Sequence, residues 1–309
     1  MMSGRVSNLS LITHWESYLA LCKPKVVLLI VFTAVVGMLL ASPDGVSLHT
    51  LLFASLGIGL GAASGAAANH WVDRRIDEVM QRTKGRPLPQ GELSPHVALL
   101  FSLFLGCLSM AILVAFINPL TAALTFLSLI GYAVIYTVYL KRNTPMNIVL
   151  GGAAGAAPPV LGWAAVTGGV PTEALLLFLI IFVWTPPHFW ALAIKRREEY
   201  RRAGIPMLPV THGVAFTKQR ILLYTILLFV VTLFPFYIEM SGLLYLSGAI
   251  ALGIGFLHHA VKLYRTEPGS ESDRVAQRTF VYSILYLSLL FGFLLADHYA
   301  RIALRALFF

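Results

Sequence analysis

Charge is scarce in this sequence. Asp, Glu, Lys and Arg make up 12% of its 309 residues, and only 14 residues are acidic. An average soluble domain carries roughly 25% charged residues. With 58% of the chain apolar, a water-soluble globular fold is excluded. Cysteine is scarcer still. Cys22 and Cys107, both in or beside apolar runs, exclude a disulfide framework and a four-ligand zinc site. The first 30 residues lack a short apolar core followed by a small-residue cleavage site, so no removable signal peptide is expected. The first apolar span then serves as the targeting signal.

What the chain does have is long apolar runs. Nine reach spanning length: about 24 to 41, 48 to 68, 96 to 116, 119 to 140, 147 to 166, 172 to 194, 220 to 240, 242 to 262 and 280 to 300. A helix needs about 20 apolar residues to cross a bilayer core. These runs predict an all-α polytopic membrane protein, with about nine transmembrane helices in one bundle and a single domain over 1–309.

The net charge of +9 invites a nucleic-acid reading, which the distribution of cations removes. If each run crosses once, one side receives 21 of the 23 Lys and Arg, and only Arg301 and Arg305 follow the last span. The positive-inside rule places that side in the cytoplasm. No nucleic acid is needed. Residues 1–23, Arg5 among them, read as a cytoplasmic tail, and 69–95 and 195–219 as long cytoplasmic loops. Loops on the opposite side are short, so the polar sequence that could carry a function lies on the cytoplasmic side.

Two spans are built from small residues. Gly57, Gly61 and Gly65 recur every fourth position, and Gly151, Gly155 and Pro159 repeat the spacing. Such stripes let helix backbones approach closely, and plain packing explains them. The sharper reading is room for a bulky ligand, with the Pro158-Pro159 break opening the backbone.

The densest chemistry lies where the second span meets the cytoplasm. Asn69, Asp73 and Asp77 are spaced four apart and line one face of a continuing helix. Two carboxylates that close repel each other, and a cation reverses the cost. Magnesium takes one or two carboxylates and completes its shell with water and phosphate oxygens. Arg82, Lys84 and Arg86 follow within about two turns. Acid stripe plus cation cluster suits a diphosphate bridged to metal, although a solvated juxtamembrane helix also explains acids alone. Lys141 and Arg142 end span four on the same side, after Tyr136. Thr185-Pro186-Pro187-His188-Phe189-Trp190 runs through span six toward Lys195. His70, off the acid stripe, reads as interfacial.

These residues resemble the UbiA-type intramembrane prenyltransferase superfamily. The resemblance rests on Asn69-x-x-x-Asp73-x-x-x-Asp77, then Arg82-Thr83-x-x-Arg86-Pro87-Leu88. Tyr136-Thr137-x-x-Leu140-Lys141-Arg142, the small-residue stretch Gly151 to Trp163, and Thr185-Pro186-Pro187-His188-Phe189-Trp190 narrow it to the heme O synthase branch. It implies transfer of farnesyl from farnesyl diphosphate to a vinyl group of protoheme IX (heme b), giving heme O. The implied users are heme-copper terminal oxidases, directly or by way of a heme A synthase, within membrane lipid. The implied cofactor is magnesium (Mg2+), held by Asp73 and Asp77 with Asn69 orienting them and Lys141 acting beside them. Arg82, Lys84, Arg86, Tyr136, Arg142 and Lys195 are implied diphosphate contacts. His188 stands where other members place a second acid motif; acids are delayed to Glu198 and Glu199. It is the implied heme contact, through propionates or iron, or else a diphosphate donor.

Two other functions are compatible with parts of this pattern. An aromatic-acceptor prenyltransferase making quinone precursors is disfavoured by the Thr-Pro-Pro-His stretch. An ion-coupled transporter using Asp73 and Asp77 predicts midplane charges and inverted repeats, whereas here the charges sit at one interface.

Overall fold

The computed structural model describes residues 15–308. Arg5 and the rest of residues 1–14 lie outside the described residues. Helix α1 (Trp15–Cys22) meets α2 (Pro24–Leu40) at a 47° bend. Pro24 disfavours the right-handed helical region for the residue before it, and Lys23 is left-handed, with φ 49° and ψ 61°. Helix α3 (Leu48–Val79) starts at Ser47, whose side chain accepts from Thr50 N. Helix α4 (Pro95–Phe116) starts in the same way at Ser94, and α5 (Pro119–Asn143) at Asn118. Proline is the first residue of both helices, where its missing N–H costs nothing.

The second half of α5, Gly131–Leu140, is π-helical. Helix α6 (Asn147–Thr167) breaks at Ala157, where Pro158 begins its second half. Helix α7 (Thr172–Lys195) carries Pro186 and Pro187 inside it. After two short helical pieces, Arg197–Arg202 and Leu208–Thr211, come α8 (Gly213–Tyr237), α9 (Leu243–Arg265) and α10 (Ser270–Phe308).

Among the described residues, eight helices are long and apolar enough to span a bilayer, nine if the bent α1–α2 pair counts as one. The nine expected runs therefore each find a helix. Three helices extend past their runs. Helix α3 continues through Asn69 to Val79, so the expected loop at 69–95 begins inside a helix. Helices α8 and α10 start earlier than 220 and 280 because polar lead-in turns bury Thr217, Lys218, Val275 and Ala276 against neighbours. Hydropathy registers only the lipid-facing part of such a helix.

The small residues act in packing. A Cβ at Gly162 would lie 1.9 Å from the Ala34 carbonyl oxygen, and one at Gly37 would lie 2.2 Å from that of Pro159. Helices α2 and α6 thus touch backbone to backbone. Gly57 sits on Leu113 of α4, Gly61 on Ser109 and Thr125, and Gly65 on Tyr132. Buried hydroxyls join the same helices: Ser64 and Ser102 each donate to the other's carbonyl, at 2.8 and 2.9 Å. In lipid such bonds and close contacts replace the missing hydrophobic drive. Gly155 has open space around it, the one stripe position that leaves room. At the end of the bundle remote from Asp77, Asp297 of α10 accepts from Gly242 N at 2.6 Å and Tyr245 N at 3.2 Å, capping α9.

Candidate active site

Continuation of α3 past its apolar run brings the acid stripe onto one buried face. Asn69, Asp73 and Asp77 are 5%, 1% and 2% exposed. Carboxylates this buried require partners. Asp73 Oδ2 accepts from Lys141 Nζ at 2.5 Å and from Asn69 Nδ2 at 2.7 Å. Asp77 Oδ2 accepts from Arg86 Nη1 at 2.6 Å. Asn69 Oδ1 in turn accepts from Lys23 Nζ at 2.5 Å. A continuous polar chain therefore runs Lys23, Asn69, Asp73, Lys141, with the Asp77–Arg86 pair one turn further along α3.

Local structure explains this convergence. The π-helical turns of α5 end at Lys141, which they deliver to Asp73, and they place Thr137 3.5 Å from Asn69 Nδ2. Thr137 donates to the Tyr132 carbonyl five residues back, at 2.8 Å. Single π-helical stretches of this kind concentrate at functional sites. After α3, the turn at Met80 to Arg86 is held by Thr83 Oγ1, which donates to the Asp77 carbonyl at 3.1 Å, and this folds Arg86 back onto the acid.

The other expected contacts are placed less uniformly. Arg142 Nη2 donates to the Val72 carbonyl at 3.2 Å, at the rim. Tyr136 stacks on Tyr132, with centroids 5.7 Å apart, and its ring lies against Gly151. Arg82 is exposed but lies near Tyr200, where burial pushes the Tyr200 hydroxyl upward and Arg82 opposes it. Lys84 and Lys195 are exposed and make no ion pair among the described residues. Sequence reasoning missed Lys23 and Thr137 as members of the cluster. Lys23 was legible only as a cation beside a proline that starts a span. His70, expected at the interface, is 3% exposed, because α1 packs across this part of α3 through Leu21 and Ala67.

Whether the cluster suits a divalent ion is tested by its fully buried unused oxygen. Asp73 Oδ1 is buried and has no hydrogen-bond partner. Among the described residues, no three His, Cys, Asp or Glu side chains converge on a metal position. Two carboxylates and a free oxygen suit an ion that draws its remaining ligands from phosphate and water, which is the habit of magnesium. Glu198 is spent on Arg201 at 2.6 Å, on an exposed helix, so it supplies no second acid pair here.

His188 lies apart from the acids. It stacks on Trp184 of its own helix with centroids 4.2 Å apart and on Phe280 of α10 at 4.6 Å, and its Nδ1 is 2.7 Å from Ser283 Oγ. The structure thus brings Asn69, Asp73, Asp77, Arg86 and Lys141 into one cluster and sets His188 at the α7–α10 contact.

A helical membrane bundle with a buried acid stripe ringed by cations defines an intramembrane enzyme for charged, lipophilic substrates. Residues 30–296 match the UbiA prenyltransferase family, and the chain belongs to it. It is an integral membrane prenyltransferase, and the transporter reading falls. Among its relatives, a protein named protoheme IX farnesyltransferase from Thioalkalivibrio sulfidiphilus is 63% identical over 93% of this chain and 94% of its own. Proteins of the same name from Nitrosococcus oceani and Legionella pneumophila are 62% and 59% identical, over 93% and 92% of this chain and 95% and 96% of theirs. Among solved structures, one described as a digeranylgeranylglyceryl phosphate synthase shares the fold at TM-score 0.77 and 18% identity, covering 92% of this chain and 98% of its own. A UbiA homologue from Archaeoglobus fulgidus, bound to DMAPP and Mg2+, matches at TM-score 0.60 and 17% identity, over 90% and 99%.

Proposed function

We propose that this chain transfers the farnesyl group of farnesyl diphosphate to a vinyl group of protoheme IX, giving heme O. The structural observation carrying the reading is the buried Asp73 and Asp77 pair, each held through Oδ2 by a cation, Lys141 and Arg86, with Asp73 Oδ1 buried and without a partner. The name shared by relatives at about 60% identity supplies the acceptor.

Asp73 and Asp77 are the residues that would hold Mg2+. When bound, the ion supplies Lewis-acid stabilisation to the diphosphate leaving group. Asn69 positions Asp73 by donating to its Oδ2, and Lys23 in turn holds Asn69 by donating to its Oδ1. Arg86 and Lys141, already held at the acids, bring positive charge to where the diphosphate departs, with Arg82 and Arg142 at the rim. Lys84 and Lys195 lie further out, where they attract the anion before it docks. As the C–O bond breaks, an allylic cation forms, and water would capture it. The apolar interior excludes water until the vinyl carbon attacks; the cation this leaves on the other vinyl carbon is then discharged by adding water and releasing a proton. Membrane embedding also admits both lipophilic substrates from the lipid phase.

The cation bias supports a site on the cytoplasmic face of a bacterial inner membrane, in one catalytic domain over 1–309. The product would pass to heme-copper terminal oxidases, directly or through a heme A synthase. The test is the heme complement of membranes from cells lacking their own enzyme. Cells given this chain should yield heme O, and cells given Asp73→Asn should yield only protoheme. Identical heme from both would refute the proposal.

A further inference from the structure

We propose that His188 is the axial ligand to the iron of the acceptor heme, bound through Nε2, and that Ser283 fixes the tautomer that leaves Nε2 free to bind. The inference rests on the heme-acceptor reading above. It starts from a count of protons. Ser283 Oγ lies 2.6 Å from the Phe280 carbonyl oxygen, which can only accept, so the single hydroxyl proton is committed there. The same Oγ lies 2.7 Å from His188 Nδ1. With its proton spent, Oγ accepts, so Nδ1 carries the hydrogen. A neutral imidazole has one N–H, which leaves Nε2 as a bare lone pair.

The arrangement is rigid. Trp184 and Phe280 hold the ring nearly parallel between them, at interplanar angles of 19° and 28°. Trp184 Nε1 donates to the Ser283 carbonyl at 2.8 Å, so α7 grips Ser283 by backbone and side chain together. Among the described residues Nε2 has no hydrogen-bond partner. The ring lines a cavity of 120 Å³ between α2, α7 and α10, with Leu29, Phe32, Leu287 and Phe291 for walls. Two hydroxyls also stand on its wall: Thr33 donates to the Ile30 carbonyl of its own helix at 3.0 Å and has no proton to offer, and the exposed Ser288 makes no hydrogen bond, to Nε2 or to any other described residue.

A lone pair in such surroundings goes without its hydrogen bond, at a cost. A propionate or a diphosphate oxygen does not relieve it, because either needs a donor and this tautomer presents none. A Lewis-acidic iron does. Metal-binding histidines characteristically donate their second ring N–H to a fixed acceptor, the part Ser283 plays here. Ligation runs along the imidazole plane, so the macrocycle lies across the mouth of the cavity and only the iron has to reach the nitrogen. Leu29, Phe32 and Ile284, each about 40% exposed, border that mouth on the lipid side. An apolar planar ring arriving through lipid meets them first.

The test uses the full chain in lipid nanodiscs, titrated separately with ferrous protoheme IX and with metal-free protoporphyrin IX. Wild type should bind the iron porphyrin more tightly and show an iron–imidazole stretch by resonance Raman. His188→Gly should lose both the preference and the band, and added imidazole should restore the band. Ser283→Ala should weaken iron-porphyrin binding by roughly tenfold and lower the band frequency, while Ser283→Thr keeps both near wild type. Persistence of the preference and the band in His188→Gly overturns the ligation, and an unmoved band in Ser283→Ala overturns the role of the serine. If wild type binds both porphyrins equally with no band, ligation fails and the heme-acceptor reading stands. If it binds neither, that reading fails and ligation falls with it.

Discussion

At the scale of single residues, the acid stripe shows what spacing alone can reveal. Asn69, Asp73 and Asp77 share a face by arithmetic, and the structure buries that face. Asp73→Asn or Asp77→Asn should lower heme O formation by at least about 100-fold with protein still in the membrane, since each removes charge from the site where the leaving group is stabilised. Glu78, one residue on and exposed, should tolerate Glu78→Gln. Equal activity in all three would refute the assignment. The Asp73–Lys141 pair is also structural, with Asp73 1% and Lys141 16% exposed. Lys141→Met leaves a buried carboxylate short of its cation and should destabilise the protein by about 3–5 kcal/mol, most of it recovered by adding Asp73→Asn. Thermal unfolding in detergent reads the difference. Other partnerships could not be read from the chain: Lys23 meets Asn69 across 46 residues, and His188 meets Ser283 across 95. No local pattern encodes such distant contacts.

At the scale of helices, hydropathy located every span, because an apolar run of the right length has few other uses. It missed what polar residues do inside helices: the extension of α3, the early starts of α8 and α10, and the π-helical turns of α5. Those turns matter because they carry Thr137 and Lys141 to the acids. The glycine stripes were legible as packing signals, though which glycine touches what was not. Gly162→Ala would press a Cβ onto the Ala34 carbonyl, a backbone atom that cannot rotate away. It should destabilise by about 1–3 kcal/mol or more, whereas Gly155→Ala, with nothing within 4 Å, should be near neutral. Matched unfolding curves for the two variants would contradict the backbone contact between α2 and α6.

At the scale of the whole molecule, the proposed reaction would use two sites in one bundle: an acid and cation cluster at the end of α3 for the diphosphate, and an apolar cavity at α2, α7 and α10 for the acceptor. Both depend on one topology, in which the loops after α3, α7 and α9 share one side, proposed above as the cytoplasmic one. Reporter fusions at Gly91, Gly204 and Ser270 should therefore all report cytoplasm, and a signal from the opposite side at Gly204 would break the shared face. Fold class and reaction class were both legible, because membrane helices and a spaced acid motif are strong patterns. The acceptor was the harder inference, resting on resemblance across Tyr136 to Arg142, Gly151 to Trp163 and Thr185 to Trp190 rather than on spacing and charge. The most direct measurement is therefore a competition between acceptors. Purified protein in nanodiscs is given farnesyl diphosphate, Mg2+ and an equimolar mixture of protoheme IX and an aromatic acid of the quinone-precursor type, and the products are read by mass spectrometry. Farnesyl should appear on the porphyrin and none on the aromatic acid; the reverse distribution would overturn protoheme IX as the acceptor.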